Sequence, residues 1–281
     1  MGFQSLSDFN TKVVENGQVH SSTFRKTSAV ATSGGIWCDM STMSGHPVTN
    51  FYASTPLIAD TFLSREGIQQ GQDVSPKTKH LKRITAMGPV APTHLLLLDY
   101  LLYYPFIDGD STDEQVFNNA VSLPRYTNGE GVKAFVVAQG SYVGGAQFFI
   151  KYTNQNGVSG RISGLCTSNT ATTSGTLISS GLAAGQFGWH IPLSGSDTGI
   201  RSVESFKFLS SNGGIFALVL AKDIGGISIR EANVPAEKDF LIETGINMPT
   251  IEDGAYLNFL ALSNSSISSQ PFYGSLQFVW G

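Results

Sequence analysis

The chain has 281 residues, 17 basic and 21 acidic side chains, a formal net charge of −4, two cysteines and only 14% charged residues. That length can bury a core without a metal or disulfide staple, and the charged fraction lies well below the ~25% of an average soluble domain. The charge balance gives no global field for a nucleic-acid backbone. The apolar run at 94–106 is too short, and too acidic at its flank, to span a membrane.

Gly, Ser, Thr and Asn take the place of the missing charge. They lower helix propensity, supply turn residues and weaken like-charge repulsion between copies, which suits a protein packed among neighbours.

The opening "MGFQSLSDF" lacks the basic start and apolar stretch of a signal peptide. Leu6 stands where a myristoylation motif needs Ser or Thr. Residues 1–30 are expected to form an extended N-terminal arm, and residues 31–281 a single β-sandwich domain. "GQVHSSTFRKTSAVATSGGIWCDMS" allows one strand pair around Gly34-Gly35. "SGHPVTNFYASTPL", with Pro47 and Pro56, reads as extended. Phe24, Trp37, Phe51 and Tyr52 fall in this poorly stranded region. Exposed, they would cost roughly 25 cal/mol per Å² of apolar surface. They bury either against the chain's own sandwich or against a partner, and they are the candidate partner-contact residues.

Residues 64–79 read as an exposed loop. In "KTKHLKR", Lys77, Lys79, Lys82 and Arg83 mark either a solvated edge or a surface for an acidic partner. "THLLLLDYLLYY" has a helix-capping Thr93 and helix-favouring leucines, yet the surroundings are all β. An inner strand bent near Asp99 is the expectation. "STDEQVF" then offers a capping box, Ser111 with Glu114, and predicts a short helix. "DGDSTDE" imitates a calcium loop, but Asp113 and Asn119 stand where Gly and Glu are required, so no metal is expected.

The second half is punctuated by Asn128-Gly129, Asn156-Gly157, Asn212-Gly213 and Gly144-Gly145, all able to take the positive φ of tight turns. "VKAFVVAQ", "AQFFIKYT" and "GRISGLCT" read as a meander, and "VESFKFLS" with "GIFALVLAK" as a hairpin. "GIFALVLA" is apolar on both faces, as a central covered strand must be. In "VESFKFLS", Phe206 and Phe208 share one face and Lys207 the other. Residues 167–186 form a low-complexity bridge. The last strand, "GSLQFVWG", puts Leu276, Phe278 and Trp280 on one face. The fold class is all-β, an antiparallel, jelly-roll-like sandwich with at most one or two short helices.

No catalytic constellation emerges. Cys38 and Cys166 lie far apart, share no metal-ligand spacing, and read as reduced thiols. No local signature joins them to the five histidines. "SGS" at 194–196 is not the strand-turn-helix setting of a nucleophile elbow. Glu204, Asp223, Glu231, Glu237, Asp239, Glu252 and Asp253 cannot be paired into a glycosidase from spacing alone. Trp37, Trp189 and Trp280 could stack on a sugar, though core packing is the commoner use of tryptophan. The expectation is a non-enzyme without cofactor or metal.

Whole segments resemble virion structural proteins of tailed bacteriophages, among them proteins described as head-decoration proteins. "FRKTSAVATSGGIWCDMSTMSGHPVTNFYASTPL" is similar to their opening. "LPRYTNGEGV", "TGIRSVESFKF", "GGIFALVLAK", "EDGAYLNFLAL" and "GSLQFVWG" follow in similar order. The resemblance implies a particle component assembled in the host bacterial cytoplasm, displayed on the virion and touching the major capsid protein. It implies a homo-oligomer, a trimer by analogy with how such proteins sit on capsids. The alternatives are a neck, tail or fibre component, or a carbohydrate- or receptor-binding module.

Overall fold

The computed structural model describes residues 2–171, 173–180 and 188–281. The strands, in chain order, are β1 (Val19–Thr27), β2 (Trp37–Asp39), β3 (Ser44–His46), β4 (Asp60–Thr61), β5 (Lys79–Met87), β6 (Thr93–Asp108), β7 (Gln115–Val116), β8 (Val132–Ala138) and β9 (Gln147–Asn154). They continue with β10 (Arg161–Ile162), β11 (Cys166–Thr167), β12 (Ile200–Phe208), β13 (Ile215–Ile229), β14 (Ala236–Asp239), β15 (Thr250–Ile251), β16 (Tyr256–Ser263) and β17 (Pro271–Trp280). Helix α1 (Leu6–Phe9) runs into a π-helical turn at Asn10–Glu15, and α2 (Phe240–Thr244) is equally short. The protein is an all-β antiparallel sandwich. No helix among the described residues is long and apolar enough to cross a membrane.

The sandwich is double. A central sheet, β2-β16-β6-β13-β8, carries two further sheets side by side on its inner face. Over one half lies β14-β5-β17-β1-β3, so that Leu95, Leu97, Ile227 and Ile229 meet Phe24, Ile84, Leu276 and Phe278. Over the other lies β10-β9-β12-β7, so that Leu102, Tyr104, Leu218 and Leu220 meet Phe148, Ile150, Val203 and Phe206. A third core fills the outer face, where Leu96, Leu98, Tyr100 and Val219 lie under Trp37, Tyr52, Phe62 and Leu177.

This arrangement explains the run at 94–104. It is strand, because β6 lies between β16 and β13 and is covered on both faces, leaving no polar side to alternate. The expected bend near Asp99 is a bulge: Tyr100 opposes Ala221 and Leu102 opposes Leu220, with Leu101 extra. The bulge shifts the phase, so 95, 97 and 99 point inward before it and 102 and 104 after it. Asp99 therefore faces inward at the seam between the two inner cores. Arg125 meets it there, Nε to Oδ2 at 2.8 Å and Nη2 to Oδ1 at 2.6 Å.

Several local expectations yield to tertiary pairing. Residues 1–30 do not stand away as an arm: β1 pairs with β17 from Val19↔Val279 to Thr27↔Pro271, and Phe3 packs on Phe9. The meander forms only in its second half, where "AQFFIKYT" pairs with "GRISGLCT", and "VESFKFLS" does not pair with "GIFALVLAK". β8 pairs with β13 in the central sheet, whereas β9 pairs with β10, β11 and β12 in another. The Gly144-Gly145 and Asn212-Gly213 turns are corners between sheets. Buried Asn212 joins them, its Oδ1 accepting from Gly144 N–H at 3.0 Å and from Ser168 Oγ at 2.9 Å. Asn156-Gly157 does close a hairpin, between β9 and β10. The capping box at Ser111 forms no helix. Glu114 instead holds Lys151 at 2.7 Å and accepts from Ser205 Oγ at 2.5 Å, which pulls β7 onto the edge of β12.

The basic stretch is not a solvated edge. β5 is an inner strand, with Lys82 on Asp239 at 2.6 Å and Arg83 on Glu237 at 3.6 Å across its pairing with β14. Lys79 is buried, donating to Gln70 Oε1 at 3.0 Å and to the Gln72 carbonyl at 2.8 Å. The loop at 64–79 is likewise anchored, with Ile68, Gln70 and Val74 buried. Of the bridge at 167–186, residues 172 and 181–186 lie outside the described residues. Leu177 and Ile178 are buried and hydrogen-bond the Trp37 and Val136 carbonyls.

Candidate functional site

The structure separates the four expected contact residues. Phe24 lies in the first inner core against Phe259, ring centroids 4.8 Å apart. Trp37 and Tyr52 lie in the outer core. These three are corrected: the sandwich buries them, so they cannot reach a partner. Phe51 is the exception, at 73% exposure, and Val48 beside it is 59% exposed.

The loop that carries Phe51 is clamped from below by two buried charges. Asp39 ends β2 and caps the 3-10 turn Met40–Thr42, accepting from the Ser41 N–H at 2.8 Å and the Ser41 hydroxyl at 2.7 Å. It also accepts from the Tyr100 hydroxyl at 2.8 Å and from the Tyr52 hydroxyl. Burial pushes its carboxyl above the usual carboxylate range, against the pull of the tyrosine and serine donors. Lys26, 1% exposed, reaches in from β1 and donates to the carbonyls of Met43 at 3.1 Å, Val48 at 3.3 Å and Ser41 at 3.4 Å. Close packing of β3 on β1 permits only glycine at Gly45, where a Cβ would sit 2.0 Å from the Arg25 carbonyl oxygen.

At the tip the backbone inverts. Tyr52 has φ of 49°, and its N–H donates to Asn50 Oδ1 at 3.1 Å. Tyr52 thus turns inward against Phe62 and Tyr103 while Phe51 turns out. Lys26 escaped notice in the sequence, although alternation in "STFRKTS" already puts it on the face of Phe24.

Burial drives the Lys26 ammonium down to about 8 from 10.5, with Asp39 opposing. Above that value the folded chain releases the proton while the unfolded chain keeps it, so stability rises with pH across this window. Between about pH 8 and pH 10, the wild type should gain about 1–2 kcal/mol relative to Lys26→Met in urea unfolding. Burial raises the Tyr52 and Tyr100 hydroxyls, which works the other way above pH 10 but in both proteins alike. Parallel pH profiles would disprove the assignment.

A groove of about 410 Å³ lies on the same outer face, at the far end of the central sheet. Register builds it: Ser228, His94 and Leu262 face one another across β13, β6 and β16, with Pro92 adding apolar surface. His94 Nδ1 lies 3.1 Å from Ser228 Oγ, and Arg230 stands at the rim. Burial lowers the His94 imidazole, with Lys238 acting in the same direction.

Elsewhere, reactive side chains serve structure. Cys38 and Cys166 are buried in different inner cores, and burial pushes the Cys38 thiol up to about 12. Trp189 is half-buried beside Phe135, and Trp280 is half-buried at the end of β17. Asp253 accepts from the Val74 and Ser75 N–H groups, as a turn-holding carboxylate does.

No protein-family model matches the chain, and no curated protein matches it. Among solved structures, the infectious bursal disease virus Gx strain aligns over 94% of this chain and 81% of its own, at 10% identity and a TM-score of 0.17. T=1 particles derived from infectious bursal virus align over 96% and 82%, at 9% identity and a TM-score of 0.16. The VP2 subviral particle of infectious bursal disease virus aligns over 93% and 80%, at 8% identity and a TM-score of 0.15. At such scores the likeness carries no argument about fold or function.

Proposed function

We propose that this chain is a non-enzymatic structural protein of a tailed-bacteriophage virion, of the head-decoration type, assembled in the host cytoplasm among major capsid protein neighbours. The observation that carries the reading is the Val48–Phe51 loop. It presents the most exposed phenylalanine among the described residues, on a backbone held by buried Lys26 at the Val48 carbonyl and by buried Asp39 through Tyr52. A pre-set apolar knob meets a neighbour without the entropic cost of ordering a free loop. The segment resemblance to virion proteins and the low surface charge point the same way.

The test is co-sedimentation with particles that lack this protein. Phe51→Ser should weaken occupancy about 30-fold, the loss expected of an interface anchor. Unchanged occupancy would remove the loop from the contact, and failure of the wild type to bind would remove the virion reading. Point substitution is the suitable probe, because truncating residues 1–30 would take out β1, an inner strand.

A further inference from the structure

An inner strand pairs on both sides, and β13 does so for only part of its length. β8 leaves it at Lys222↔Val132, whereas β6 continues to Ile229↔Thr93. Residues 226–229 therefore have a strand on one side only.

Register identifies the backbone groups left open. The Ser263 carbonyl accepts from the Gly35 N–H at 2.6 Å, and the Leu257 carbonyl from the Ile68 N–H at 2.8 Å, so both point away from β6. Backbone groups alternate sides along a strand. Leu262, opposite His94, therefore bonds β6, and His94 turns its own backbone towards β16. Thr93 and Leu95 turn the other way and bond Ile229 and Ile227. Gly226 and Ser228 alternate with those two, so their N–H and C=O groups point to the side that β8 leaves uncovered. Beyond the β6 ladder, the backbone of 226–229 makes no hydrogen bond among the described residues.

These groups open into a cleft of about 520 Å³. Gly226, Ser228 and Arg230 line one wall, and residues 234–238, which lead into β14, line the other. β14 pairs with β5 alone and ends its sheet, so a second open edge faces the first. Phe240 closes one end of the cleft, its ring 3.0 Å from where a Cβ on Gly225 would lie. The turn at 231–235 closes the other.

Charge does not select an occupant, because Arg230 stands beside Glu231, and Lys238 pairs with Glu243 at 3.3 Å. Backbone groups do. An edge recessed and closed at both ends cannot meet the edge of another sheet, but it accepts a single extended segment. A second copy offers no such arm from its N-terminal strand, because β1 is paired along its whole length with β17.

We infer that an extended arm of the neighbouring particle protein enters this cleft and adds a strand to β13, about four residues long at about 3.3 Å each. It continues the central sheet where β8 stops. The inference rests on the virion reading for the neighbour, and adds to Phe51 a second contact of different chemistry.

The test is hydrogen exchange resolved to single amides, on the free protein and on occupied particles. In the free protein the Gly226 and Ser228 amides should exchange fast, and those of Ile227 and Ile229 slowly. On the particle the two fast amides should slow by about 100-fold. Fast exchange at Ser228 on an occupied particle would overturn the inference and leave the virion reading standing. Slow exchange there in the free protein would also overturn it, since the edge would already be filled. A protein absent from the particle removes both readings. Ser228→Pro deletes the outward N–H but keeps the ladder to β6, as proline does on an open edge. It should lower occupancy about tenfold, whereas Ser228→Ala should leave occupancy unchanged. Equal occupancy for Ser228→Pro and Ser228→Ala, with circular dichroism showing both folded, would count against the arm. If Ser228→Pro does not fold, the exchange measurement decides alone.

Discussion

Arg125→Ala is expected to destabilise the protein by about 3–5 kcal/mol. Asp99 is wholly buried at the seam between the inner cores, and Arg125 grips both its oxygens. The Tyr256 N–H, 3.1 Å from Oδ1, is the other donor, and Arg125 also reaches the Tyr100 carbonyl at 3.1 Å. Burial already pushes the Asp99 carboxyl up, and the guanidinium is the main force opposing that rise. Without it, Asp99 must take up a proton to stay inside. A carboxyl whose folded value is raised is at no disadvantage below its unfolded value and loses stability as pH climbs through the folded one. The deficit of Arg125→Ala should therefore narrow as pH falls towards 4. Asp99→Asn with Arg125→Met should lie closer to wild type than either single change, because no uncompensated charge remains. Urea unfolding of the four proteins at two pH values decides the matter, and a pH-independent deficit would contradict the mechanism.

Phe206→Ala carries a similar expected cost, about 3–5 kcal/mol. Its ring is fully buried, 4.8 Å from Phe208 and 5.2 Å from Phe148, in a core whose strands cannot easily close over a void. Phe206 belongs to the half of the double sandwich under β12, yet its loss should lower the whole unfolding transition without splitting it. β6 and β13 run unbroken through both halves, pairing from Ile215↔Asp108 to Ile229↔Thr93. One half cannot lose these strands while the other keeps them. Far-ultraviolet circular dichroism and tryptophan fluorescence should trace coincident curves. Two separated transitions would show that the sandwiches fold independently.

The sequence by itself determined what depends on near neighbours in the chain. Sparse charge and frequent turn residues made the fold all-β. Alternation put Phe206 and Phe208 inward, as they are. The double-faced apolarity of "GIFALVLA" identified a central strand, and β13 is one, lying between β6 and β8. The run at 94–104 was legible only through its all-β surroundings, because its leucines and unrelieved apolarity suit a buried helix equally well.

Tertiary structure alone decided partners. A Gly or Asn-Gly dipeptide permits positive φ, but nothing local says whether the next strand pairs with the last or crosses to another sheet. Asn156-Gly157 closes a hairpin, whereas Asn212-Gly213 turns a corner held by contacts to Gly144 and Ser168. The capping box at Ser111 lost to Glu114's attachment to Lys151 and Ser205, because so short a helix has too few internal hydrogen bonds to resist. The same holds at the candidate site. Phe51 and Tyr52 are adjacent aromatics with equal claims in the sequence. Only the hydroxyl of Tyr52 can reach Asp39, 13 positions earlier in the chain, and that bond turns Tyr52 into the core and leaves Phe51 facing out.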